Sequence, residues 1–155
     1  MRLAVLGAGA VGESVAELAG DYGHTVTAFA DSTGAVVDAE GIDVAAALSR
    51  KAEGGSVGEE APAAALEADY DVLVEATPTT LGDADPGFSH CRAALERDRH
   101  VVLANKGPVA ERYHDLREEE ASSDGRVLFE ATVGGAMPVL STYFEDNAEC
   151  WAFGK

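Results

Sequence analysis

Lysine is nearly missing from this chain. Only Lys51, Lys106 and Lys155 occur, and 11 bases stand against 28 acids for a net charge of −17. Such a surface repels nucleic acid and anionic membranes, which excludes both as partners. It suits molar salt, where the Debye length shrinks to about 3 Å. The expectation is a cytoplasmic protein of a salt-accumulating organism. Cysteine is scarce as well. Cys91 and Cys150 form no C-x-x-C and read as free thiols of a reducing compartment. The histidines (24, 90, 100 and 114) have no ligand spacing, and the adjacent His90 and Cys91 diverge on a helix, so no nitrogen–sulfur metal site is expected. No apolar run approaches the ~20 residues of a membrane span, and the start reads as a strand rather than a signal peptide. With 155 residues and 46% apolar composition, the chain can bury the core of one domain.

What is present is glycine, concentrated at the start. Arg2-Leu3-Ala4-Val5-Leu6 is an apolar run of strand length, followed at once by Gly7-Ala8-Gly9-Ala10-Val11-Gly12. Val11, Val15, Leu18 and Ala19 then recur at helical spacing, as one face of a helix from Ala10 to about Asp21. Strand, G-x-G-x-x-G turn and helix in that order suit a dinucleotide. Gly7 permits the turn, Gly9 lets the backbone approach a pyrophosphate, and Gly12 lets the helix pack on the strand. The helix start offers unpaired N–H groups to the phosphates. The segment Gly7, Ala8, Gly9, Ala10, Val11 and Gly12 is therefore the predicted phosphate contact. A glycine turn of some other α/β protein is the alternative.

The next β-rich run, 24–30, ends at Asp31, about 20 residues beyond the last fingerprint glycine. Asp31 and Ser32 are predicted to meet the adenosine ribose, or Asp31 simply caps the turn to Gly34. A carboxylate there leans to NAD over NADP, while Ser32 and Thr33 could hold a phosphate. Residues 34–61 are less regular and carry no assigned chemistry, with a helix over 43–51 capped by Asp43 and a short helix near Pro62. Asp71-Val72-Leu73-Val74-Glu75-Ala76-Thr77 reads as a buried parallel strand. Thr77 and Thr79, at its carboxyl end and in the loop that follows, are candidate cofactor contacts. A helix over 89–98 turns Cys91, Ala94 and Leu95 inward. Another strand, 100–104, runs into Asn105-Lys106-Gly107-Pro108. Lys106 is a rare lysine at a strand's carboxyl end, where burial could tune it for proton transfer. It is the predicted catalytic residue and a further cofactor contact. A helix from Pro108 to about Ser122 keeps Glu118-Glu119-Glu120 on its wet side, and a last strand covers 126–132. The expected fold is α/β, a doubly wound, mostly parallel Rossmann-type sheet with helices on both faces.

Four pieces together resemble one family: the fingerprint at 7–12, Ala30-Asp31-Ser32, Val101-Val102-Leu103-Ala104-Asn105-Lys106, and Phe129-Glu130-Ala131-Thr132-Val133-Gly134-Gly135-Ala136-Met137-Pro138. The chain looks like the nucleotide-binding half of homoserine dehydrogenase over residues 1–140. The resemblance implies an oxidoreductase interconverting homoserine and aspartate semialdehyde with NADP or NAD, in amino-acid biosynthesis toward threonine and methionine. It places Gly9 to Gly12 and Thr77 against the cofactor and Lys106 beside cofactor and substrate. It also assigns Glu130 and the carbonyls of Val133, Gly135 and Met137 to a sodium ion. Family members continue into a second domain that binds substrate and dimerises. This chain ends at Lys155 after a divergent tail, 141–155, so the expectation is a cofactor domain alone, without turnover by itself. The resemblance also allows a homo-oligomer. A stand-alone nucleotide-binding regulatory module and another Rossmann reductase are the alternatives.

Overall fold

A computed structural model describes residues 1–133. Six strands form one sheet in the order β3-β2-β1-β4-β5-β6. They are β1 (Arg2–Leu6), β2 (Thr25–Ala30), β3 (Ala35–Val37), β4 (Val72–Glu75), β5 (His100–Leu103) and β6 (Val127–Leu128). All pairings are parallel except that of β3, which runs antiparallel on the edge beside β2. The chain starts in the middle of the sheet, builds outward to β3, then crosses back to β4 on the other side of β1. That reversal is the topological switch point at which α/β sheets open a crevice.

Alternation along the strands feeds two cores. Ala4, Leu6, Ala28, Leu73 and Leu103 point to one face, where α3 (Ala64–Glu67), α4 (Gly87–Leu95) and α6 (Tyr113–Ala121) bury Ala65, Phe88, Cys91, Leu95 and Leu116. Leu3, Val5, Val26, Phe29 and Val74 point to the other, under Ala16 of α1 (Ala10–Leu18) and Ala47 of α2 (Val44–Gly54). Period-2 strands covered on both faces are what the apolar runs require. The doubly wound architecture is as expected.

Several local expectations are corrected. The buried face of α1 is Gly12 and Ala16, while Val11 and Leu18 are exposed. A close helix–strand approach selects the smallest side chains, so the bulky apolar residues turn outward. The edge strand β3 lies in the stretch expected to be irregular. The helix expected from Pro108 is two, α5 (Gly107–Glu111) and α6, separated at Arg112, whose backbone leaves helical geometry at φ −130°. Glu120, expected on the wet side, is only 5% exposed. It pairs with Arg117 and accepts the Val127 N–H at 2.9 Å, tying α6 to β6. The last strand stops at Leu128, and Glu130–Val133 is one helical turn, α7. Gly134, Gly135, Met137, Cys150 and the whole 141–155 tail lie outside the described residues.

Candidate cofactor site: a crevice at the switch point

The three fingerprint glycines do three different jobs. Gly7 has φ +101°, a left-handed conformation open to glycine, and a Cβ there would sit 2.4 Å from the Ala76 carbonyl oxygen. Its N–H donates to Ala30 O at 2.9 Å, joining the turn to the end of β2. A Cβ on Gly12 would sit 1.8 Å from Gly7 O, so α1 can lie this close to the turn only without a side chain. A Cβ on Gly9 would meet no protein atom within 4 Å. The protein leaves the space beyond Gly9 open. Gly9 also caps α1 without any side-chain bond to the first-turn amides, which leaves them for a ligand.

That open space is a cavity of about 820 Å³. Its walls include Gly7, Ala8, Gly9, Ala10 and Val11 from the turn, Asp31 and Ser32 from the end of β2, and Thr77 from the end of β4. Eight of the eleven predicted contact residues are thus brought to one crevice. Gly12 packs beneath it. Thr79 and Lys106 do not line it. The Lys106 N–H donates to Thr79 Oγ1 at 3.2 Å, and the Lys106 side chain is exposed at the carboxyl edge of the sheet.

Asp31 is more than a lip of the crevice. Its Oδ1 accepts from Thr33 N at 2.7 Å, Thr33 Oγ1 at 2.6 Å and Gly34 N at 2.9 Å, and its Oδ2 accepts from Val57 N at 2.9 Å. Partial burial raises the carboxyl pKa, but the bonds from Thr33, Gly34 and Val57 outweigh it and hold the group below its ordinary value. One carboxylate thus fixes the β2–β3 turn and the loop after α2. Oδ1 is saturated, so Oδ2 is the atom with capacity left for a ribose hydroxyl.

Across β1 the crevice wall is a buried polar network. Glu75 ends the apolar run of β4 and is 0% exposed. Its Oε1 accepts from Thr77 N at 3.0 Å, from Thr77 Oγ1, and from Asn105 Nδ2 at 3.4 Å. Its Oε2 lies 2.6 Å from His90 Nδ1. Asn105 also donates to Thr77 Oγ1 at 3.1 Å and accepts the Gly107 N–H at 2.9 Å. Glycine makes room for it: a Cβ on Gly87 would lie 2.5 Å from Asn105 Nδ2, and one on Gly107 2.3 Å from Thr80 O. The loops after β4 and β5, which carry Thr77 and Lys106, are thereby locked together. Burial, with the negative charge of Glu75 beside it, pushes the Cys91 thiol well above its ordinary value, so this free cysteine is inert.

Sequence reasoning missed Lys51, Glu75, His90 and Thr80. Lys51, on α2, lines the crevice, donates to Ala8 O of the glycine turn and stands 3.7 Å from Glu13 Oε1. The rarity of lysine could have marked it. An acid closing an apolar strand could have marked Glu75. His90 and Thr80 also line the crevice, and nothing in their spacing announces it. Among the described residues no cluster of three or more His, Cys, Asp or Glu could hold a metal ion, and no helix is long and apolar enough to cross a membrane.

Fold, glycine turn and crevice define a Rossmann-type domain of the dehydrogenase class. Residues 1–85 match the family model described as Glutamate/Leucine/Phenylalanine/Valine dehydrogenase, more than half of the chain, and the chain belongs to that family. It is similar along its length to homoserine dehydrogenases. It is 34% identical to homoserine dehydrogenase of Methanocaldococcus jannaschii, over 91% of this chain and 47% of that protein. It is 30% identical to an NAD(+)-dependent homoserine dehydrogenase of Pseudomonas canavaninivorans, over 90% of this chain and 45% of that one. The crystal structure of homoserine dehydrogenase from Thermoplasma acidophilum superposes with a TM-score of 0.84 at 25% identity, covering 94% of this chain and 48% of that one. The chain spans about half the length of the relatives it matches.

Proposed function

We propose that this chain is the cofactor-binding part of an NAD(P)-dependent oxidoreductase of homoserine dehydrogenase type, interconverting L-homoserine and L-aspartate 4-semialdehyde. The observation that carries the cofactor half is the open space beyond Gly9, facing uncapped amides of α1. A cavity of about 820 Å³ is within the size range of cofactor sites. The diphosphate sits on Gly9 to Val11, with Lys51 supplying the nearby cation and Asp31 Oδ2 receiving a ribose hydroxyl. The cofactor supplies hydride transfer when bound. Asp31 is compatible with NAD, and Lys51 offers a charge that a 2′-phosphate could use, so both cofactors fit. Similarity to homoserine dehydrogenases supports the choice of reaction.

Lys106 stands at the carboxyl edge of the sheet, next to where the nicotinamide ring of a bound cofactor would lie. Its role there is to donate to the substrate oxygen and to move its proton. In a full-length relative, Lys106→Ala is expected to lower turnover far more than cofactor affinity, and an unchanged turnover number would refute the role. The substrate-binding part and a homo-oligomeric interface are assigned to a second domain. The sodium assignment uses oxygen donors only, which suits a hard cation. Of its four residues Glu130 and Val133 are described, and both lie in the helical turn Glu130–Val133.

The family description favours a second reading, an amino-acid dehydrogenase acting at a carbon bearing nitrogen. Assay of the full-length protein separates the two. NAD(P)+ reduction with homoserine supports the first. Reduction with glutamate or a branched-chain or aromatic amino acid, and none with homoserine, overturns it. NADH and NADPH titration in molar salt tests the cofactor half alone, and binding of neither would remove it.

A further inference from the structure

A fully buried carboxylate is expensive to desolvate and keeps its place only where partners meet its charge and lone pairs. Glu75 is fully buried and is met on both oxygens. Three donors converge on its Oε1, the Thr77 N–H and hydroxyl and Asn105 Nδ2, and His90 Nδ1 lies 2.6 Å from Oε2. That set fits the ionised form, which only accepts, so the His90 proton sits on Nδ1 and points at Glu75. The other ring nitrogen, Nε2, is left over. It has no partner among the described residues, and the His90 side chain is 20% exposed on the crevice wall. Satisfying Glu75 needs only Nδ1, which leaves Nε2 of a cavity-lining residue available to a ligand.

The topology says which part of a ligand meets it. The sheet order places β2 and β4 on opposite sides of β1. Asp31 follows β2 and takes the adenosine side, and the glycine turn after β1 takes the diphosphate. His90, bonded to the last residue of β4, faces the other nucleoside. We propose that His90, oriented by Glu75, is a cofactor-binding residue whose Nε2 hydrogen-bonds a ribose hydroxyl or the carboxamide of the nicotinamide nucleoside. This rests on the dinucleotide assignment above.

Binding of NADH and of ADP to the full chain in molar potassium chloride tests it. ADP carries the adenosine and diphosphate but not the nicotinamide nucleoside. His90→Asn keeps an N–H near the Nδ1 position for Glu75 and removes Nε2. It is expected to weaken NADH roughly tenfold, the size of one hydrogen bond, and to leave ADP within about twofold. Equal NADH affinity in the two proteins overturns the role of His90 while the dinucleotide site stands, as does an equal loss of both ligands. Failure of the parent chain to bind either ligand overturns both. Should His90→Asn not fold, nitrogen NMR of the parent protein decides. The Nε2 resonance of His90 should move with NADH and not with ADP, and no movement with NADH overturns the proposal.

Discussion

The two sides of the crevice are built from different materials. On the side of β1, α1 and β2 the site is backbone: three glycines, a helix start and a turn held by Asp31. On the side of β4 and β5 it is side chain, with buried Glu75 and Asn105 bonded to half-buried Thr77 and His90. Backbone sites depend on spacing, because each glycine answers a local steric demand. Side-chain networks depend on the tertiary fold, because their members meet only after β4, α4 and β5 are packed. The first kind is legible in a sequence, and the second is not.

Perturbing the β4 side should have the larger effect on folding. Glu75→Ala strips a partner from His90, Asn105 and Thr77 at once, and each buried donor left unpaired costs about 1–3 kcal/mol. Chemical denaturation should show a lower midpoint, and a parent-like midpoint would mean that the network is incidental. Gly12→Ala comes next, at about 3 kcal/mol, because its Cβ would enter the Gly7 carbonyl. Here the loss should appear in melting temperature as well as in binding. Lys51→Ala should leave melting nearly unchanged. It should weaken NADH binding by about 1.5–3 kcal/mol, the worth of a charged hydrogen bond, and less so as salt rises.

Asp31 gives the smallest effect and a pH signature. Its carboxyl titrates lower in the folded chain than in the unfolded one, so the unfolded state takes up the proton first as pH falls. The associated stability is intact above about pH 5 and is lost progressively through the acid range. Asp31→Asn should flatten that part of the melting profile by about 1 kcal/mol. An unchanged slope between pH 5 and pH 3 would show that the turn does not depend on the charge. A separate global test is salt: with a net charge of −17, melting temperature should rise steeply from low to molar potassium chloride, and equal stability would remove the salt-adaptation hypothesis.

Much of the fold was readable because doubly covered strands announce themselves as apolar runs. The order of strand, turn and helix located the crevice, and Asp43 behaves as the expected cap, accepting the Ala46 N–H at 2.9 Å. The failures share a cause. The outward turn of Val11 and Leu18 follows from how near α1 lies to β1, which the helical period does not encode. Glu120 looked like part of a solvated acid run, and only the placement of β6 gives its carboxylate an amide to bind. The short edge strand β3 is held by its neighbour β2 rather than by its own pattern. Lys106 was singled out for its rarity, yet the same rarity applied to Lys51, which is the lysine that reaches the glycine turn.

Gly9 separates ligand binding from folding, because its missing Cβ faces open space rather than protein. The decisive experiment is a fluorescence titration of NADH into the parent chain and into Gly9→Val, with melting temperatures alongside. Tight binding by the parent, at least a tenfold loss in the variant and a stability change of about 1 kcal/mol or less are expected. Equal affinity in both proteins would contradict a diphosphate seated on that turn.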